Sequence, residues 1–304
     1  MKIGVVIVTY NRLEKLKVTL DLFEKQTSSF EYIVVVNNAS TDGTTEFLNE
    51  WQNIQSSYHK YLITTEKNLG GSGGFYLGLE KASSLDADWI WVSDDDAYPE
   101  ADVMEKAYKY LECNKNKLDS IAAICCKVMN NNRIDCVHRS KIVNKGFRII
   151  RYNSTEDDYK KDEFEINAFS YVGTIINKFK LQQAGLTNRD YFIWYDDTEH
   201  SLRLSKTGSI IVVPEIVVHH NLESKSGILT WKNYYGTRNL MDMYRRHFPK
   251  LCYNYEFFVL KSKCVINLLL HRNYDRVKMY LKALEDSKKE RLGIDELYKP
   301  GWKK

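Results

Sequence analysis

Along its first hundred residues the chain alternates between two hydrophobic periods. Residues 3–8 (IGVVIV), 32–36 (YIVVV), 61–65 (YLITT) and 89–92 (WIWV) are short runs rich in β-branched and aromatic residues. Such runs mark strands buried on both faces. Between the first two, Leu13, Leu16, Leu20 and Phe23 recur at helical spacing, which predicts a helix with Asn11 as N-cap and Glu14 as its capping partner. TDGTTEFLNEW and GGFYLGLEKASS predict helices after the second and third strands. Strands alternating with helices imply an α/β fold, a mostly parallel sheet with helices on both faces.

Further along, residues 153–165 (NSTEDDYKKDEFE) read as a mobile surface loop. AFSYVGTIINK predicts a strand, KFKLQQA a helix ended by Gly185, and IIVVPEIVV another strand. From Tyr255 onward the chain carries a long helical pattern laced with Lys and Arg, and no internal repeat is present.

Composition narrows the class. The 304 residues are 43% hydrophobic, enough for a substantial core. Six cysteines include no C-x-x-C pair, so neither a zinc ribbon nor a thioredoxin-type site is indicated, and reduced, buried thiols are expected. The apolar run in MKIGVVIVTYNR is too short for a signal peptide or a membrane span, so a cytoplasmic protein is expected. Residues 245–304 hold 15 Lys/Arg against 7 Asp/Glu, although the whole chain is only +4. The remainder is therefore net negative, which argues against a nucleic-acid binder. In the basic tail Phe257, Phe258, Leu260, Val265, Leu268 and Leu269 alternate with Lys261, Lys263 and Arg272. That pattern fits a helix resting on an anionic membrane, and equally one packed on the α/β domain.

Three polar clusters fall at strand ends, where open α/β sheets bind ligands: Thr9 to Arg12, Asn37 to Asp42, and Asp94 to Asp96. Adjacent carboxylates repel unless a cation or donor sits among them. Alternation along an extended chain puts Asp94 and Asp96 on one side, an arrangement suited to a hard divalent cation shared with phosphate oxygens. An isolated D-x-D is more often a solvated acidic turn, and the apolar strand before this one shifts the balance. A second acidic cluster, Asp196-Asp197-Thr198-Glu199, follows the aromatic run Tyr191 to Tyr195. Aromatic faces stack on sugars and a nearby carboxylate can take a hydroxyl proton, while the same residues also read as core aromatics and helix-capping acids. His219 and His220 end a strand and are either ordinary histidines or metal ligands. NLGGSGG (68–74) lacks the P-loop lysine and any acid placed for a dinucleotide ribose, so it fits either a backbone approach to a nucleoside or sugar, or a flexible loop.

Taken in order, VVIVTYNR, VVVNNASTDGT, NLGGSGGF, WIWVSDDDA, AGLTNRDYFIWYDDTEHSLRL, VVPEIVVHH and YYGTRN resemble family-2 inverting glycosyltransferases of the GT-A fold. The tryptophans before DDD and the aromatic run before Asp196-Asp197 look most like bacterial galactofuranosyltransferases and their rhamnosyltransferase relatives. The resemblance implies a catalytic domain over 1–222, with a nucleotide-binding half (1–98) and an acceptor-binding half (99–222), followed by a basic helical extension over 223–304. It implies that Thr9, Tyr10, Arg12, Asn38 and Asn68 line the nucleoside pocket. Asp94, Asp95, Arg238 and Asn239 would lie at the donor diphosphate, and Asp94, Asp96 and His220 would hold Mn²⁺ or Mg²⁺. Asp197 would be the catalytic base, with Trp194, Tyr195 and Asp196 at the acceptor. The chain departs from the family where Asn37-Asn38 replaces the usual Asp-Asp or Asp-Asn, and where Asp196 replaces Glu.

The implied reaction moves galactofuranose from UDP-galactofuranose, or rhamnose from dTDP-rhamnose, to a glycan or lipid-linked oligosaccharide with inversion. A non-catalytic sugar-binding module is the competing class, and it would not need both acidic clusters. A nucleotidyltransferase would carry G-x-G-T-R after the first strand, where this chain has TYNR.

Overall fold

A computed structural model describes residues 1–221 and 228–303. In chain order the elements are β1 (Ile3–Thr9), α1 (Leu13–Glu24), β2 (Tyr32–Asn37), α2 (Thr44–Asn53), β3 (His59–Thr64), α3 (Gly70–Ser83), β4 (Trp89–Asp94), β5 (Tyr98–Pro99), α4 (Val103–Cys113), β6 (Ile121–Asn130) and β7 (Arg133–Ile134). They continue with β8 (Arg139–Lys145), β9 (Arg148–Asn153), β10 (Phe164–Ile166), β11 (Ala168–Phe169), β12 (Thr174–Asn177), α5 (Lys178–Ala184), α6 (Asp196–Leu204), β13 (Ser209–His219), α7 (Lys232–His247), α8 (Lys250–Leu269) and α9 (Tyr274–Lys288).

The main sheet runs β10-β13-β6-β12-β4-β1-β2-β3, with β5 added to β13 and β7 to β6. Strands β1, β2, β3 and β4 are mutually parallel, β13 is parallel to β6, and β12 runs antiparallel between β4 and β6. The four expected strands all form, and the reason is visible in β4. Trp89 and Trp91 pack with α1 and α4 on one face, Ile90 and Val92 with α3 on the other, so every position of the run is apolar. The tryptophans are therefore core residues. Register aligns Thr9 with Asn37 and Val8 with Asp94, which brings the polar strand ends to one rim.

Local expectations are corrected in three places. Asn11 does not cap α1; its backbone sits at φ 52° and its Oδ1 accepts the Thr41 N–H. The open N–H of Leu13 donates instead to Asp42 Oδ2 at 3.1 Å, and Glu14 pairs with Lys17. A loop distant in sequence thus supplies the cap. Residues 153–165 are not a featureless loop: Tyr159 is buried, and the segment leads into β10, which pairs with β13. AFSYVGTIINK is split into β11 and β12 around Gly173 at φ 61°. β11 leaves the main sheet for a second, three-stranded one, β11-β8-β9.

The expected boundary at 222/223 lies outside the described residues. Beyond it α7 and α9 pack together, Tyr234 Oη donating to Asp286 Oδ2 at 2.7 Å. Phe192, Tyr234, Tyr235, Met279 and Tyr298 share one apolar cluster, so these helices close directly on the aromatic segment before Asp196.

Candidate active site

At the end of β4 the three aspartates separate as alternation demands. Asp95 points inward, accepting Thr9 Oγ1 at 2.7 Å and Arg12 Nη1 at 3.1 Å, while its main-chain oxygen accepts Thr19 Oγ1. Asp94 and Asp96 face a cleft of about 710 Å³. Ligand atoms of Asp94, Asp96 and His220 lie within 4.8 Å of one another. His220 Nε2 is 3.2 Å from Asp96 Oδ1, whereas His219 turns away to Glu100.

The electrostatics of the pair differ. Burial pushes Asp94 up to about 7, helped by the charge of Asp96. Burial pushes Asp96 the same way, but His220, Arg12 and Lys15 outweigh it and hold the carboxyl well below the usual range. Lys15 Nζ reaches Asp96 Oδ2 at 2.9 Å from the first turn of α1. The set fits a divalent cation. It offers two carboxylates and one imidazole, and the buried Nδ1 of His220 has no hydrogen-bond partner among the described residues.

Across the cleft the aromatic segment is held in an unusual backbone. Phe192 has φ 67° and ψ −58°, and Ile193 N–H bonds Tyr191 O at 2.8 Å, a γ-turn of the strained positive-φ kind. Trp194 (φ 65°) and Tyr195 (φ 67°) are left-handed as well. Non-glycine residues adopt this conformation at a cost that the surroundings must offset. Asn239 Nδ2 lies 2.9 Å from the carbonyls of Tyr191, Ile193 and Trp194, and Arg238 Nη2 bonds those of Asp190 and Tyr191. Tyr191 Oη donates to Asp242 Oδ2. From the other side Ser72 N–H bonds Phe192 O, and a Cβ on Gly70 would stand 1.9 Å from that oxygen, so only glycine admits this approach.

The segment leads into α6, whose first turn carries Asp196 and Asp197. Burial, then Asp197, raise Asp196 to about 8, with Asp94 adding to the effect, so the two acidic clusters feel one another. Burial also raises Asp197, opposed by the Thr198 N–H at 2.5 Å and by the charge of Arg151. Trp194, Tyr195, Asp196 and Asp197 line the same cleft as Arg12, Asp94, Asp96 and His220.

Several sequence-selected residues sit elsewhere. Arg238 and Asn239 are fully buried, with their donors spent on main-chain carbonyls. They support the aromatic segment from behind and do not line the cleft, which corrects the expected contact with a diphosphate. Asn38 bonds Asn68, the Leu69 N–H and the Gly70 carbonyl, so the two asparagines shape the glycine-rich turn, and neither lines the cleft. Thr9 is buried beneath Asp95, and Tyr10 is exposed at the rim. Lys15, Arg151 and Tyr171 were not legible as site residues. Arg151 lies in β9, a stretch to which the sequence pattern assigns no element, and Tyr171, which lines the cleft and bonds His200 Nδ1 at 2.6 Å, lies in an expected strand.

Two outcomes follow. Asn239→Ala would leave the carbonyls of Ile193 and Trp194 without their donor, while that of Tyr191 keeps the Ile193 N–H and Arg238, and should lower stability by about 2–4 kcal/mol in urea unfolding and reduce turnover with it. Asp196 titrates higher in the folded chain than the value near 4 of an unfolded aspartate. The unfolded chain therefore loses its proton first, and stability falls as pH rises between those values. Asp196→Asn should add about 2 kcal/mol or more near pH 8 and nothing near pH 4, read from melting temperatures at the two pH values.

Comparison with known proteins places this geometry. Residues 4–180 match the profile described as glycosyl transferase family 2. The galactofuranosyltransferase GlfT1 of Mycolicibacterium smegmatis is 26% identical over 204 residues, 67% of this chain. The match spans 65% of the length of that relative. Among solved structures, GalNAc-T7 with UDP, GalNAc and Mn²⁺ has a TM-score of 0.66 at 16% identity, covering 96% of this chain and 56% of its own. The mannosyltransferase PcManGT from Pyrobaculum calidifontis, with GDP-Man and Mn²⁺, has a TM-score of 0.59 at 16% identity, covering 95% and 75%. The similarity to both structures is one of fold.

Proposed function

The chain belongs to glycosyl transferase family 2, and from that premise we propose that it is an inverting, metal-dependent transferase moving galactofuranose from UDP-galactofuranose to a glycan or lipid-linked oligosaccharide on the cytoplasmic side of the cell membrane. The observation that carries the reading is the shared cleft. Two acidic clusters a hundred residues apart face one space, one with an imidazole beside it and the other with an exposed Trp194. A sugar-binding module needs the aromatic face and has no use for both clusters.

In this reading Asp94, Asp96 and His220 hold Mn²⁺ or Mg²⁺, which supplies charge neutralisation for the departing diphosphate. Arg12 and Lys15 add fixed positive charge beside it. The acceptor sugar stacks on Trp194, and Asp197 takes the proton from its hydroxyl. That oxygen attacks the anomeric carbon from the face opposite the diphosphate. The bond from carbon to phosphate oxygen breaks, its electron pair leaves with the nucleotide, and configuration inverts. Burial raises Asp197 above the ordinary carboxylate range, which makes it a stronger base than a solvated aspartate. Arg238 and Asn239 act one layer away by fixing the backbone that aims Trp194 and Asp197.

The choice of donor follows the similarity to the mycobacterial galactofuranosyltransferase. A screen of UDP-galactofuranose, dTDP-rhamnose and common UDP-hexoses, with manganese and then with EDTA, tests it. Manganese-dependent turnover of UDP-galactofuranose is expected. Preference for dTDP-rhamnose would replace the donor, and turnover indifferent to EDTA would remove the metal.

A further inference from the structure

Helix α8 is attached along one side and open along the other. Its buried residues are Cys252 and Cys264, and Glu256 Oε1 accepts the Ile149 N–H of β9 at 3.1 Å. The opposite side is apolar and exposed, with Leu251 at 66%, Phe258 at 68% and Leu269 at 75%. Tyr255, Val265 and Ile266 are exposed between them. At about 3.6 residues per turn these positions share one side of the helix along its length, with the small Ser262 between Phe258 and Val265. A row of that length on a folded protein marks a contact surface.

Charge identifies the contact. Exposed Lys261 and Lys263 lie on the two flanks of the row. Residues 250–278 carry six Lys/Arg against Glu256 and Asp275, and Glu256 is committed to β9. A second copy seated on this row would bring lysines of both copies together with no exposed acid on α8 to pair them. Anionic headgroups complement the same arrangement, with the apolar row entering the headgroup boundary and the lysine stems reaching back to the phosphates. No helix among the described residues is long and apolar enough to cross a membrane, so the contact is with the surface.

We propose that α8 docks the protein on an anionic bilayer. The attachment matters for the cleft, because β9 also carries Arg151 and Asn153 into its wall. The helix lying on lipid is thus tied to the strand that faces an acceptor. This extends the acceptor side of the function proposed above and does not depend on which sugar is moved.

The test is co-sedimentation of the full chain with vesicles of phosphatidylcholine alone, or of phosphatidylcholine with one third phosphatidylglycerol. Binding to the anionic vesicles only is expected, falling as salt is raised. Lys261→Gln with Lys263→Gln should weaken partitioning about 25-fold, at about fivefold per charge. Phe258→Asp with Leu269→Asp should abolish it. Both pairs are on the exposed face, so circular dichroism and turnover with a water-soluble acceptor should match the parent. A chain that stays in the supernatant with both vesicles overturns the proposal. So does a dimer in analytical ultracentrifugation that Leu269→Asp dissociates, which would assign the row to a second copy. Absence of transferase activity in a chain that still sediments with anionic vesicles would remove the function and leave this inference standing.

Discussion

Asp197→Asn is expected to lower kcat by about 10²–10⁴ while leaving nucleotide binding intact. The substitution is close to isosteric. The amide keeps an oxygen for the Thr198 N–H and hydroxyl that Asp197 Oδ1 now accepts, so the first turn of α6 keeps its internal bonds. What disappears is the capacity to take a proton. Burial already raises Asp197, so removing its charge should also stabilise the fold. Higher melting temperature, unchanged nucleotide titration and collapsed transfer together identify a base. Turnover within about tenfold of the parent would assign the proton to another group, and Asp196 would then be the first to test.

The first half of the fold could be read from the chain because β1, β2 and β4 are buried on both faces, and the partly covered edge strand β3 keeps the same β-branched and aromatic content. Trp89 to Val92 has to be apolar at every position, and no helix would leave that pattern with Asp94 at its end. The alternation that separates Asp94 and Asp96 from Asp95 is equally local, and the cleft follows it. What escaped depends on contacts between distant segments. The cap of α1 comes from Asp42, and no spacing rule relates a residue to a helix that begins almost thirty positions before it. The sequence places Tyr-Gly-Thr-Arg-Asn at the diphosphate only by its resemblance to a family element. Only the fold reveals that Arg238 and Asn239 spend their donors on the carbonyls of residues 190–194. The same contacts make the C-terminal helices part of the site, whereas the sequence reads them as an appendage. Three left-handed non-glycine residues in four could not be foreseen either, since nothing in FIWY favours that backbone. The strain is sustained by α7 and by the glycine-rich turn, and it aims a platform and a carboxylate into one space.

Asp96→Asn should reduce Mn²⁺ affinity by about a hundredfold or more and transfer by about 10³. In the protein alone Asp96 is the charged member of the pair, held by Arg12 at 2.8 Å, Lys15 at 2.9 Å and His220 at 3.2 Å. Asp94 has no side-chain hydrogen bond among the described residues and rises to about 7. A divalent cation would therefore displace a proton from Asp94 whenever binding occurs below that value. Affinity should climb with pH, because the Asp94 carboxyl and the His220 imidazole, each raised above its ordinary value, both give up a proton to the cation, and it should level off only once both are deprotonated. With asparagine at 96, Lys15 loses its carboxylate partner and Arg12 keeps only Asp95, so more positive charge stands beside the cation and adds repulsion to the lost ligand. Manganese titration followed by electron paramagnetic resonance at pH 6 and pH 8 reads both effects. An affinity that falls with rising pH would contradict the assignment of Asp94. Retention of manganese-dependent turnover within about threefold in Asp96→Asn would place the cation away from β4, whereas turnover that no longer needs manganese would transfer its role to Arg12 and Lys15, whose fixed charges can neutralise a departing diphosphate.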